Sequence, residues 1–181
     1  MLASSINLGY ARSMIVTSAL QKVSKILVPI DGSESSMRAA DAAIELARRY
    51  KNNGDGGTTS SVEVIALYVV DAGAKFELFG KYGFNYSEYA KAAQDEGRKV
   101  TENWFSNIRK KADANNILFR AEVTDNSSLS VVGEIVNYAE REKVDIIIIG
   151  TRGHSEFRKL LIGSVSSGVV TYSPITVIVV R

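Results

Sequence analysis

The amino-acid sequence predicts an α/β fold, in which a single doubly wound domain is built on a parallel sheet of five strands. Two observations lead to this prediction. Short apolar runs alternate along the chain with segments whose apolar residues recur at helical spacing, as in folds where each helix crosses between two parallel strands. One of the runs, residues 146–149, consists of consecutive isoleucines, a composition typical of a strand that is buried on both faces.

The predicted strands are apolar runs bounded by glycine, proline or polar residues. They span residues 26–30, 62–70, 117–123, 145–149 and 175–180. Four helices are predicted between them. The first follows Ser33, a residue type that caps helix N-termini, and the second runs from about residue 86 to residue 114. The third carries an apolar stripe from Leu129 to Ala139, and the fourth opens at Gly163.

Residues 1–23 differ in composition from the rest of the chain, because the first acidic residue is Asp31. We expect them to form a poorly ordered or non-native extension, followed by one domain that spans residues 24–181. Their basic, serine-containing composition also leaves a transit peptide open. Met14 leaves open a translation start at that residue.

Charge and composition exclude several classes of function. The chain has 22 basic and 20 acidic residues, a balance without the basic patch expected of a nucleic-acid-binding protein. It has no cysteine and one histidine, so we expect neither thiolate chemistry nor a metal site built from side chains. No apolar run is long enough for a membrane-spanning helix. We therefore expect a cytoplasmic protein with no membrane or nucleic-acid partner.

The carboxyl ends of two predicted strands carry residues suited to a ligand, and open α/β sheets bind ligands at such ends. The first strand ends in Pro29-Ile30-Asp31, and the Asp31 carboxylate is suited to accept hydrogen bonds from the hydroxyls of a ribose. The fourth strand ends at Gly150, with Gly153 following, and glycine lets the backbone turn sharply or approach a ligand. Taken singly, each of these residues is also explained by an ordinary turn.

A helix is predicted to start at Gly163-Ser164, which adds a candidate phosphate site. The free N–H groups and the dipole of a helix N-terminus favour an anion, and the hydroxyls of Ser164 and Ser166 are further donors. The alternative is that Ser164 only caps the helix. The spacing matches neither the P-loop, which needs Gly-Lys-Ser/Thr, nor the dinucleotide fingerprint, which follows a first strand.

Taken together, these motifs resemble the universal stress protein family. The pattern Gly150-x2-Gly153-x9-Gly163-Ser164 is similar to that family's ATP-binding signature. The segments KILVPIDGSESSMRAA and DIIIIGTRGHSEFRKLLIGSVSSGVV are similar to the family as well. The resemblance runs from about residue 25 to residue 181 and is weakest at residues 52–61 and 71–100. It implies a Rossmann-like fold of the adenine nucleotide alpha hydrolase-like type.

The resemblance also implies roles for individual residues. In the ATP-binding branch of the family, the residue that corresponds to Asp31 contacts the ribose, and the end of the second strand, here Val69, holds the adenine through backbone groups. The glycine loop and the Gly-Ser-Val-Ser segment that follows it, here residues 163–166, bind the phosphates. Mg²⁺ or Mn²⁺ is then coordinated mainly by the phosphates. The candidate nucleotide-binding residues are Pro29, Ile30, Asp31, Val69, Gly150, Gly153, His154, Gly163, Ser164, Val165 and Ser166.

Two parts of the sequence keep more than one interpretation. His154, in the glycine loop, is a candidate phosphate contact, and the alternative is a solvent-exposed loop position. Residues 76–89 are rich in phenylalanine and tyrosine. They are suited to cover the nucleotide, to contact a partner or to cap the core.

The leading hypothesis is an ATP-binding protein with a regulatory role in the stress response and little or no turnover. It rests on the lack of an apparent general base beside the proposed phosphates. A weak ATPase or a related phosphoryl-transfer enzyme is the first alternative. A dimeric interaction module that binds no nucleotide is the second.

We also expect a homodimer that forms through the last strand, residues 175–180. This strand is apolar on both faces, and the family resemblance places it at an edge of the sheet and implies such dimers. An exposed apolar edge tends to pair, and the same strand of a twofold-related mate is a self-complementary partner. The alternative is a monomer in which residues 1–23 cover the edge.

Overall fold

The computed structural model describes residues 23–52, 61–71, 86–125, 130–151 and 162–181, with only the backbone at residues 52 and 86–90. The strands are β1 (Lys25–Pro29), β2 (Glu63–Val70), β3 (Leu118–Asp125), β4 (Ile146–Gly150) and β5 (Thr176–Val180). The helices are α1 (Glu34–Asn52), α2 (Tyr86–Ala114), α3 (Val131–Arg141) and α4 (Ser164–Tyr172). Residues 1–22 of the predicted extension and residues 76–85 of the aromatic-rich segment lie outside the described residues.

All five strands are parallel, and their order across the sheet is β3-β2-β1-β4-β5. Helices α1 and α2 pack on one face, and α3 and α4 pack on the other. The predicted α/β class and doubly wound parallel sheet are therefore confirmed. The chain runs outward from β1 to β3 and then returns to place β4 on the other side of β1. Strand order thus reverses between β1 and β4, the position where such sheets bind ligands.

The isoleucine run of β4 supplies both layers of the core. Ile146 and Ile148 belong to the buried cluster that α1 and α2 cover, whereas Ile147 and Ile149 belong to the cluster that α3 and α4 cover. All four side chains are buried. Because side chains alternate along a strand, a central strand between two helical layers needs apolar residues at every position.

Serine caps define the beginning of two helices. The Ser33 hydroxyl accepts a hydrogen bond from the Ser36 N–H group at 3.2 Å, so Ser33 is the predicted N-cap of α1. The Ser130 hydroxyl accepts from the Gly133 N–H group at 3.1 Å and caps α3. Helix α3 thus begins at Val131, within the stripe expected from residue 129 onward.

Two glycines inside helices are explained by close packing. A Cβ atom on Gly97 of α2 would lie 2.7 Å from Cγ2 of Val70, and one on Gly168 of α4 would lie 2.7 Å from Cγ2 of Val132. Glycine weakens an isolated helix. Helix α4 contains one glycine and four β-branched residues, and its close contact with α3 supplies the packing that it needs.

Polar contacts hold together the amino-terminal side of the sheet, away from the strand ends that carry the candidate site. The Asp145 carboxylate accepts hydrogen bonds from the N–H groups of Ser24 and Lys25 at 2.7 and 2.9 Å, and from the Ser24 hydroxyl at 2.9 Å. On the outer strand β3, Arg120 contacts Glu63 at 3.2 Å and Glu142 at 2.6 Å. These contacts join β1 to β4 and β2 to the end of α3.

Candidate functional site

A cavity of about 270 Å³ lies at the carboxyl end of the sheet, where strand order reverses. It is bounded by the ends of β1, β2 and β4 and by the first turns of α3 and α4. Its described lining residues are Pro29, Ile30, Asp31, Ser36, Leu67, Tyr68, Val69, Val131, Ile135, Ile149, Gly150, Gly163, Ser164, Val165 and Ser166.

The structure brings together every candidate nucleotide-binding residue that it describes. Pro29, Ile30 and Asp31 come from the end of β1, Val69 from β2, and Gly150 from β4. The start of α4 brings the rest, which are Gly163, Ser164, Val165 and Ser166. Gly153 and His154 lie outside the described residues.

Sequence reasoning missed the lining residues that complete the cavity. They are Ser36, Leu67, Tyr68, Val131, Ile135 and Ile149. Leu67, Tyr68 and Ile149 sit next to predicted site residues at strand ends, so extending the site along each strand could have found them. No local signal marks Val131 and Ile135, which reach the cavity because α3 packs beside β2.

One wall of the cavity is apolar. Leu67, Ile135 and Ile149 are buried members of the core cluster under α3 and α4, and Val69 and Val131 pack against that cluster. An apolar wall next to a few polar groups is typical of small-molecule sites. This wall is suited to a flat, weakly polar ring.

The Asp31 side chain is held in a tight turn between β1 and α1. Its Oδ1 atom accepts a hydrogen bond from the Ser33 N–H group at 3.0 Å. Gly32 between them has φ +82°, a left-handed conformation that glycine adopts without strain. Burial and the nearby Asp31 carboxylate raise the pKa of the Tyr68 hydroxyl. The turn presents a fixed carboxylate to the cavity.

Gly150 lets the end of β4 approach the start of α1. A Cβ atom at this position would lie 2.5 Å from the Ser35 hydroxyl oxygen and 2.6 Å from the Ser35 carbonyl carbon. Ser35 is buried and its hydroxyl lies 3.4 Å from that of Thr151. The glycine is therefore explained by backbone packing as well as by its place at the cavity.

The N-terminus of α4 opens onto the cavity, and no side chain of the described residues caps it. Gly163 is the N-cap residue, and its own N–H group donates to the Thr151 carbonyl at 2.7 Å. The first N–H groups of a helix have no acceptor within the helix, and the dipole makes this end attractive to anions. Ser164, Val165 and Ser166 supply these groups.

The Ser166 hydroxyl has a structural contact. It is buried and donates its proton to the Gly150 carbonyl at 2.6 Å, which ties the first turn of α4 to the end of β4. A hydroxyl has one proton to donate. In this arrangement Ser166 offers a phosphate its backbone N–H group rather than the hydroxyl donor that the sequence suggested.

The described residues carry neither a metal-binding cluster nor a membrane-spanning helix. Residues 23–52, 61–71, 86–125, 130–151 and 162–181 contain no cluster of three or more histidine or acidic side chains placed to hold a metal ion. None of the helices in the same ranges is long and apolar enough to cross a membrane.

Comparison with known proteins assigns the chain to a family. Residues 22–181 match the model of the universal stress protein family. The chain belongs to this family. The fold, the strand-end aspartate and the glycine at the start of α4 thus occur in the context that the sequence motifs indicated.

Curated universal stress proteins align over most of the chain. Universal stress protein MJ0577 of Methanocaldococcus jannaschii is 32% identical over 169 residues, which cover 87% of this chain and 94% of that protein. Universal stress protein YxiE of Bacillus subtilis is 31% identical over 157 residues, covering 87% of this chain and 98% of the relative.

Solved structures share the fold. The structure of MJ0577 superposes with a TM-score of 0.65 and 27% identity, covering 87% of this chain and 94% of that one. A universal stress protein family member from Arabidopsis thaliana, with AMP bound, gives a TM-score of 0.54 at 16% identity, covering 87% of this chain and 90% of that one. The Archaeoglobus fulgidus protein in complex with dAMP gives 0.52 at 17% identity, covering 90% and 100%.

Proposed function

We propose that this universal stress protein is a cytoplasmic, ATP-binding regulatory protein of the stress response, with little or no turnover. One observation carries the proposal: a single cavity combines an apolar wall, the Asp31 carboxylate and the N-terminus of α4. These are the three chemistries that a base, a ribose and a phosphate chain require.

The cavity suggests an orientation for the nucleotide. The adenine lies against the apolar wall and the backbone of Val69, and the ribose hydroxyls donate to Asp31. The phosphates extend from Gly150 to the N–H groups of residues 164–166, with Gly153 and His154 as further candidate contacts. Mg²⁺ or Mn²⁺ is held mainly by the phosphates. Relatives of the same fold with bound AMP and dAMP support an adenine nucleotide.

The proposal of little turnover rests on the acids near the cavity. Among the described lining residues, Asp31 is the one carboxylate, and the proposed orientation assigns it to the ribose. Hydrolysis needs a group that orients the attacking water at the far end of the phosphate chain. Phosphate release from ATP and Mg²⁺ would therefore stay near the rate of a protein-free control.

The test is direct identification of the ligand. Purified protein is denatured, the released small molecules are identified by mass and absorbance, and the stripped protein is titrated by calorimetry with ATP, AMP and GTP. We expect adenine nucleotide in the extract and tighter binding of ATP than of GTP. Absence of nucleotide in the extract together with no heat of ATP binding would refute the proposal and favour the interaction module.

We propose, in addition, that two chains pair through β5. The two edges of the sheet differ in charge. The outer strand β3 carries Arg120, Glu122 and Asp125, whereas β5 has no charged residue. Charged side chains protect a sheet edge against pairing, and an uncharged apolar edge invites it.

A further inference from the structure

The only tryptophan of the sequence lies on α2 and is not among the described residues that line the cavity. Its indole ring covers Gly32. A Cβ atom added to Gly32 would overlap atoms Cε2, Cζ2 and Cη2 of Trp104. The ring therefore rests directly on the backbone of this glycine, leaving no room for even a methyl group.

Gly32 is the hinge of the turn that carries Asp31. Its φ of +82° lies in the left-handed region, at the point where the chain turns from β1 into α1. Because glycine by itself populates many backbone conformations, other contacts must restrain this turn. On one side, the Asp31–Ser33 hydrogen bond of 3.0 Å restrains the turn. On the other side, the Trp104 ring restrains it by contact.

A second aromatic residue connects Trp104 to the cavity. Tyr68 of β2 lines the cavity and meets the Trp104 ring edge to face, with 6.0 Å between the ring centroids and 73° between the ring planes. Edge-to-face pairs of this geometry add to the stability of aromatic packing. Trp104 is thus fixed between the Asp31 turn and the β2 end of the cavity.

We infer that Trp104 is a positioning residue for ribose binding, a role that rests on the proposed nucleotide function. By holding Gly32, its indole fixes the direction of the Asp31 carboxylate before the ligand arrives. A carboxylate that is already oriented loses less conformational freedom on binding and forms stronger hydrogen bonds with the ribose hydroxyls. Trp104 touches neither the base nor the phosphates in this arrangement, so it acts on affinity through Asp31.

The experiment measures ATP and 2′,3′-dideoxy-ATP affinity by calorimetry for the wild type, Trp104→Ala and Trp104→Phe. We expect Trp104→Ala to weaken ATP binding about tenfold, which is a typical effect of coupling between residues in contact. Binding of dideoxy-ATP should stay nearly unchanged. Trp104→Phe keeps a ring against Gly32 and recovers part of the loss, and it tests the same point if the alanine variant unfolds. Phe105→Ala is the matched control, since Phe105 also packs from α2 against the same core cluster.

A double-mutant cycle separates positioning from general destabilisation. In an Asp31→Asn background, replacing Trp104 should change ATP affinity little, because the carboxylate through which it acts is gone. Equal loss for ATP and dideoxy-ATP, or additive losses in the cycle, would overturn the inference while leaving nucleotide binding intact. A wild-type protein that binds no ATP would instead remove the proposed function, and the inference with it.

Discussion

At the scale of single residues, Asp31 is the side chain on which the proposed ribose contact depends. The Asp31→Asn variant keeps an oxygen for the Ser33 N–H group but loses the charge and one acceptor. Hydrogen bonds to a charged group contribute about 1.5–3 kcal/mol each, so ATP should bind roughly tenfold or more weakly to the variant. Calorimetry with ATP and 2′,3′-dideoxy-ATP measures the difference.

Asp145 provides a control for the aspartate variant. It lies at the other end of the sheet and accepts hydrogen bonds from Ser24 and Lys25. Asp145→Asn should lower the thermal midpoint without changing ATP affinity in the folded protein. If Asp31→Asn weakens ATP and dideoxy-ATP equally, the carboxylate has a structural role and no ribose role.

Gly163 tests the phosphate end of the cavity. Its φ of −72° and ψ of 163° are accessible to any residue, so Gly163→Val adds a side chain at the start of α4 without backbone strain. The branched side chain would obstruct the N–H groups of residues 164–166. We expect ATP affinity to fall more than about tenfold while the circular dichroism spectrum and thermal midpoint stay close to those of the wild type.

A contrasting substitution in the same helix is Gly168→Ala. Its added methyl group would meet Val132, so stability should fall while the N-terminus of α4 stays accessible to the ligand. Unchanged ATP affinity in folded Gly163→Val would show that no phosphate lies at this end of the helix.

At the scale of elements, α3 contains a buried hydroxyl group that makes no hydrogen bond within the described residues. The Tyr138 hydroxyl has no hydrogen-bond partner among the described residues, and burial raises the pKa of this group to about 12. An unsatisfied buried hydroxyl lowers stability, so Tyr138→Phe should be as stable as the wild type at pH 7 or more stable by about 1 kcal/mol. Urea unfolding measures the free-energy difference.

The same substitution has a predictable pH dependence. The Tyr138 proton is held more tightly in the folded chain than in the unfolded chain, where the pKa is near 10.0. The stability that comes from keeping this proton in the folded chain is fully present below pH 10 and is lost as the pH rises through about 12. Tyr138→Phe should therefore lose less stability than the wild type between these values. A variant that is much less stable at pH 7 would indicate a partner for the hydroxyl.

The elements themselves could be predicted because their signals are local. Local sequence shows the isoleucine run of β4 and the Ser33 cap. The extent of α2 follows from apolar residues that recur at helical spacing along one continuous segment. Asp31 and Gly150 at strand ends followed from the topology that this alternation implies, whereas Val69 followed from the family resemblance. Contacts such as Trp104 on Gly32, or Ile135 at the cavity wall, join residues far apart in the chain. They depend on how the helices lie across the sheet, and the spacing of apolar residues along the sequence does not specify that arrangement.

At the scale of the whole molecule, the uncharged edge of β5 leads to a prediction about assembly. The Val180 carbonyl accepts a hydrogen bond from Thr151 on the β4 side, and backbone groups alternate in direction along a strand. The backbone groups of Val177 and Val179 therefore point to the open edge. Val177→Pro removes an outward N–H group and leaves the bonds to β4 in place. Light scattering should give about twice the mass of one chain for the wild type and a single-chain mass for this variant.

Two further chains complete the test of assembly. Val177→Ala keeps the outward N–H group and should remain a dimer. A chain that starts at Met14 removes most of the predicted extension, residues 1–23, which is the alternative cover for the edge. A wild-type monomer that becomes a dimer only after this truncation would contradict the proposed pairing and favour the covering extension.

The apolar wall of the cavity links ligand binding to the stability of the folded protein. Leu67, Ile135 and Ile149 belong to the core cluster under α3 and α4, so a ligand that lies on this wall contacts the protein core directly. If the proposed nucleotide binds there, it adds about 2.7 kcal/mol to the stability of the folded state when its concentration is about 100 times its dissociation constant. Changes of this size alter how often a chain is unfolded and degraded. Under the proposed function, the amount of folded protein in the cell would then follow the supply of nucleotide.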